Sequence, residues 1–211
     1  TLLSLINRGD SYAPWICDEP PLIFAARHSQ ADLLSSILLT NNLFGAGIDH
    51  IAPSGHSSLH LAAERDNAAI VTALLAAGAS PELVSQDTTK CDAPLLAGGM
   101  LPLHCAAAAG ASTAARLLLD AHPEGAIGLD WDGHLPAQIA LQCGHIALAQ
   151  SLAQAAEAAL ATASGGQVDD TEAAELVREV CADLEAAAAD GAASLSRGRE
   201  AAALRRLGQQ E

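Results

Sequence analysis

Two histidines are the residues on which chemistry in this chain would have to be built: His60 in Leu59-His60-Leu61 and His104 in Leu103-His104-Cys105. Together with Cys105 they offer zinc-ligand atom types. Zinc sites, however, are assembled around short-range ligand pairs such as Cys-x-x-Cys or His-Glu-x-x-His, and none is present. A catalytic histidine normally stands once, beside a nucleophile or a carboxylate. These two occupy the same slot of a repeated template, so the expected role is a structural hydrogen bond that ties one loop to the next. His134 and His145 read as loop and helix-boundary residues. Gly98-Gly99 and Gly165-Gly166 are isolated pairs with no following Lys, and no Gly-x-Ser-x-Gly occurs. Lys90, the single lysine, adjoins Cys91. A reactive thiol is one reading of that pair and a plain exposed loop the other. No catalytic, cofactor-binding or metal-ligating residue is expected, and the chain does not read as an enzyme.

The elements that hold these residues recur. Residues 20–40 read PPLIFAARHSQADLLSSILLT, 54–79 SGHSSLHLAAERDNAAIVTALLAAGA, 99–122 GMLPLHCAAAAGASTAARLLLDAH and 133–153 GHLPAQIALQCGHIALAQSLA. Each has Pro or Ser, an apolar position, small residues, a polar gap and an apolar pair. Pro at the first helical position loses no hydrogen bond and has its φ preset. Paired alanines let helices approach closely, and the later Leu-Leu supplies an apolar face. Gly78 is placed to take the left-handed conformation that ends a helix. Half the chain is hydrophobic but only 2% aromatic, which suits close-packed Ala/Leu helices. Each unit is too small to bury its own face, so neighbours must stack.

The template resembles the ankyrin repeat, G-x-T-P-L-H-x-A-A-x-x-G-H followed by V-x-x-L-L-x-x-G-A. Gly55, Ser57, Leu59, His60, Ala62, Ala63, Val71, Leu74, Leu75, Gly78 and Ala79 match in one copy. Gly99, Pro102, Leu103, His104, Ala106, Ala107 and Gly110 match in the next, and Gly133, Pro136, Ala140, Gly144 and His145 in the last. The first full copy is weaker, with Ile23 in place of His. The resemblance implies an all-α ankyrin-repeat α-solenoid over residues 1–160, with a half repeat at 1–17 and repeats at about 18–50, 51–95, 96–129 and 130–160. It also implies a non-catalytic interaction module or scaffold for protein partners. The alternative is a regulatory or targeting segment of a larger enzyme, channel or ubiquitin-ligase adaptor.

In such arrays partners meet the loop tips and the first helices. The tip residues expected here are Pro53, Ser54 and His56; Ala97, Gly98 and Met100; and Trp131, Asp132 and His134. The first-helix positions are Arg27, His28, Glu64, Arg65, Ala108, Ala109, Gln142 and Cys143. Trp131, in Asp-Trp-Asp-Gly-His, reads either as an interface anchor or as a side chain packed on the neighbouring loop. The acidic tip suggests a partner with a basic segment. The long connection at 80–99 reads as a functional or irregular loop.

Residues 161–211 form an Ala-rich extension. Within it, 169–190 read as an acidic amphipathic helix with Val177, Val180, Cys181 and Leu184 on one stripe and a capping box at Asp169 and Glu172. It either caps the stack or fits a partner groove. Arg197, Arg199, Arg205 and Arg206 give a basic tail. The net charge of −15 argues against nucleic acid and anionic membranes. Five scattered cysteines without Cys-x-x-Cys point to a reducing intracellular compartment, with the cytoplasm as the expected one. No apolar run is long enough to span a bilayer, and the chain begins at Thr1, so targeting is not read from it.

Overall fold

The computed structural model describes residues 19–40, 47–86, 98–163 and 171–190. The half repeat at 1–17, Ala97, Lys90, Cys91, Asp169 and the basic tail lie outside the described residues.

Among the described residues four helical hairpins follow one another. They are α1 (Pro21–Arg27) with α2 (Ala31–Thr40), α3 (Ser58–Glu64) with α4 (Ala68–Ala76), α5 (Pro102–Ala109) with α6 (Ser112–Ala121), and α7 (Pro136–Gln142) with α8 (Ile146–Ala163). A 3-10 turn spans Pro123–Ile127, and α9 (Thr171–Asp190) closes the described chain. Pro21, Pro102 and Pro136 each sit in the first helical turn, behind a residue in extended conformation. The first helices α1, α3, α5 and α7 stack on one another in chain order. Ala25, Ala26, Ala62, Ala63, Ala106, Ala107 and Ala140 have no exposed surface there, because only a methyl group fits between helices this close.

The second helices supply bulk: Leu34, Ile37, Ile70, Val71, Leu74, Leu118 and Leu152 are buried in one continuous core. Burying one such side chain contributes roughly 2 kcal/mol, so a lone hairpin with two or three of them could not offset its own ordering entropy. Helix α4 stops where Gly78 takes φ +90°. Ala79 N–H then reaches Leu74 O at 3.0 Å and Gly78 N–H reaches Leu75 O at 3.0 Å, a left-handed cap.

The Ala-rich run to Ala163 extends α8, and α9 docks on it and on α7. Val180 and Leu184 enter the main core, while Val177 meets Ala126, Leu135 and Ala156. Thus the apolar stripe of α9 is turned against the array. The 3-10 turn packs between α6 and α8; the sequence reading had no signal for it.

One position departs from the template. Ser58 holds the slot that is proline in the other three hairpins, and its hydroxyl is buried without a hydrogen-bond partner. Ser57 before it is already extended, at φ −84° and ψ 170°, as a pre-proline residue must be. Ser58→Pro should therefore stabilise the fold by about 1 kcal/mol, by removing the orphan hydroxyl and restricting the unfolded chain. A rise in the urea midpoint at constant m-value is the expected reading, and a fall would show that the ring does not fit.

Candidate functional site

Between successive hairpins the described backbone folds back and bonds to itself, and these turns form a ridge. Ala52 N–H bonds to His56 O at 2.9 Å, Ser85 N–H to Met100 O at 2.8 Å, and Asp130 N–H to His134 O at 3.1 Å. Successive turns are also bonded to each other: Gln86 N–H to Gly55 O at 3.0 Å and Trp131 N–H to Gly98 O at 3.2 Å.

The two template histidines fasten this ridge from below. His60 Nδ1 accepts from Ser57 N–H at 3.2 Å and lies 2.8 Å from Ser57 Oγ, while Nε2 lies 2.9 Å from Met100 O. A carbonyl only accepts, so Nε2 carries the proton and the ring is neutral. His104 repeats the arrangement one unit on: Leu101 N–H donates to Nδ1 at 3.0 Å, and Nε2 donates to His134 O at 3.1 Å. Both rings are fully buried. Burial holds their pKa below the ordinary value, to about 4 for His60, against the opposing pull of the carbonyls of Met100 and His134 respectively. In the last hairpin Gln138 Oε1 takes the same slot and accepts from Leu135 N–H at 2.8 Å.

The hydroxyl beside His60, Ser57 Oγ, is buried with the ring and so closed to a substrate. Cys105 is buried and its thiol is pushed up to about 12 by burial, then by the Glu64 charge, so it is not a thiolate at neutral pH. Among the described residues no three His, Cys, Asp or Glu side chains converge as metal ligands.

Among the expected contact residues, Met100 is corrected. It aligns with His56 and His134, which are half-buried, but Met100 itself is fully buried. Its N–H bonds to Ser85 Oγ at 3.0 Å and its carbonyl to His60, so both backbone groups are fixed and the side chain fills the core. It is not a surface contact. Pro53, Trp131 and Asp132 are exposed, and Ser54, His56 and His134 are half-buried. His56 Nδ1 lies 2.8 Å from Ser54 O.

Asp130 holds the last turn together: its Oδ1 accepts from Asp132 N–H at 3.0 Å and His134 N–H at 2.7 Å. Burial raises its carboxyl pKa, but the side-chain and backbone hydrogen bonds from His134 outweigh that and leave it below the ordinary value.

Around the other end of the hairpins, His28, Glu64, Arg65 and Ala109 are exposed, and Arg27, Gln142, Cys143 and Ala108 are half-buried. All lie at the last turn or cap of α1, α3, α5 or α7. Arg27 is partly engaged within the chain, with Nη2 at 2.6 Å from Glu19 Oε1 and 3.3 Å from Ser54 Oγ.

Trp131 is 62% exposed, yet its indole lies where a Cβ on Gly99 would be. The expected packing on the neighbouring loop therefore holds for one part of the ring, and the rest faces outward. Gly99 is required twice over, by this contact and by its φ of +76°. Gly99→Ala should displace the indole and cost about 2 kcal/mol, chiefly for the left-handed backbone. A red-shifted tryptophan emission with a lowered urea midpoint is the expected pair of results; an unchanged spectrum would contradict the packing.

Residues 54–86 match the family model of the ankyrin repeat. They run from the first turn of the ridge, through α3 and α4, into the next turn. No curated protein matches the chain. No helix among the described residues is long and apolar enough to cross a membrane.

Proposed function

We propose that this chain, in which residues 54–86 match the ankyrin repeat, is a non-catalytic protein-binding module whose contacts are the turn ridge and the exposed ends of the first helices. The observation that carries this reading is Trp131. Its indole is held on one side by Gly99 and its amide by Gly98, while 62% of the residue faces solvent. A large aromatic side chain already fixed in place loses little conformational freedom on binding, and tryptophan is enriched among residues that dominate interface energy. Asp132 beside it makes the tip acidic, which suits a partner with a basic segment. Rigid stacking supplies the rest, since the ridge is bonded from turn to turn and locked by His60 and His104. An intracellular, reducing setting belongs to this reading, because Cys105 and Cys181 stand as thiols outside any disulfide.

Affinity capture with the intact chain and with Trp131→Ala tests it. Loss of a central tryptophan anchor costs about 2 kcal/mol or more, roughly 30-fold in Kd. Partner proteins should drop out of the mutant sample while the far-UV circular dichroism is unchanged. Equal capture by both would remove Trp131 from the contacts.

A further inference from the structure

The shared register of the three turns defines an outward strip. Since Ala52, Ser85 and Asp130 make the same hydrogen bond, Ile51, Val84 and Leu129 are equivalent positions, and so are Pro53, Gln86 and Trp131. Side chains alternate along extended backbone, and burial alternates with them. Ala52, Ser85 and Asp130 are turned inward. Their neighbours on both sides face out, with only Ile51 half-buried. Five of these six outward positions are apolar. They include three of the four large hydrophobic residues exposed among the described residues: Val84, Leu129 and Trp131. The bonds from Gln86 to Gly55 and from Trp131 to Gly98 hold the three turns side by side.

The rim of the strip is negative. Glu82 precedes Val84 by two residues, Asp132 follows Trp131, and both are exposed. The described residues of the ridge, 47–57, 80–86, 98–101 and 122–135, contain no Lys or Arg. An apolar strip inside a carboxylate rim selects by both terms: burial of apolar side chains along the strip and attraction of cations at its edges. Helices packed about 8–10 Å apart set the spacing between equivalent positions.

We propose that this strip is a docking site for a segment of a partner protein that carries apolar side chains about 10 Å apart, flanked by lysine or arginine. The inference rests on the protein-binding reading above and adds the chemistry of the partner. In an extended segment, every third side chain recurs at about that distance.

The test uses the intact chain and three labelled synthetic peptides of about 18 residues. One has Leu at every third position with Lys between, the second replaces Leu by Ser, and the third replaces Lys by Glu. In fluorescence anisotropy at physiological salt the Leu/Lys peptide should bind, and the other two should bind at least about tenfold more weakly. The pair Val84→Ser and Leu129→Ser should weaken the Leu/Lys peptide about tenfold with Tm nearly unchanged, because the positions are exposed. The pair Glu82→Gln and Asp132→Asn should weaken it and flatten its salt dependence. Binding of the Ser/Lys peptide as tight as that of the Leu/Lys peptide overturns the inference, as does indifference to the serine pair or no binding at all.

The two readings fail in different ways. Partners still captured by the serine pair but lost with Glu64→Ala and Arg65→Ala would overturn the strip and keep the protein-binding function. An intact chain that captures no specific protein would defeat that function itself.

Discussion

His60→Ala should cost the fold about 4 kcal/mol, the largest loss expected from any single substitution on the ridge. The ring is fully buried, and it answers two backbone groups in adjacent units, Ser57 N–H and Met100 O. Removing it leaves a buried donor and a buried acceptor unpaired, at roughly 1–3 kcal/mol each. It also opens a cavity the size of an imidazole, which adds a further loss. Domain stability is about 5–15 kcal/mol, so the change is a large fraction of the whole. The damage is also localised, because in a stacked array stability is carried by nearest-neighbour interfaces. Urea unfolding followed by circular dichroism should therefore broaden or split, as the units before and after the His60–Met100 link separate. His60→Gln should lose much less, since Gln138 shows that a side-chain amide fills the same slot and accepts from the backbone. If Ala and Gln cost the same, and less than about 1 kcal/mol, the ring is not what joins these units.

The histidine role was legible because it depends on recurrence. His60 and His104 fall in the same template slot, whereas a catalytic histidine normally stands once. Helix starts were legible for a similar reason, since Pro21, Pro102 and Pro136 mark first turns by chemistry that needs no tertiary context. Met100 was not legible. In its aligned slot His56 and His134 are half-buried, and only the bonds to Ser85 and His60 draw Met100 inward. The 3-10 turn at Pro123–Ile127 has too few residues for any periodicity to register. The outward strip was hidden for the same reason. Each turn contributes two side chains, and their equivalence emerges only once Ala52, Ser85 and Asp130 are seen to make one hydrogen bond. Trp131 was half legible: its composition and turn context marked it, but the seat on Gly99 is a contact between residues of different units.

Acid should unfold this protein in a window set by the same two rings. His60 is held neutral in the fold, with its pKa lowered from 6.5 to about 4 by burial, and His104 is shifted the same way for the same reason. As pH falls through 6.5 the unfolded chain takes up protons that the folded chain refuses. Stability is complete above pH 6.5 and is lost progressively down to the folded-state pKa. At about 1.4 kcal/mol per pH unit for each proton, His60 alone accounts for roughly 3 kcal/mol between pH 6.5 and pH 4, and His104 adds to the slope. Asp130 acts lower. Its carboxyl pKa is depressed in the fold by the bonds from His134, which outweigh its burial, so its contribution is present above the ordinary value of 3.8 and is lost only below it. Urea midpoints across pH 7 to 4 should fall steeply for the unaltered chain. In His60→Gln the fall should be shallower by about one proton, because the glutamine occupies the slot without titrating. A parallel slope in that variant would mean that the acid lability arises elsewhere, and that protonation of His60 is not coupled to unfolding.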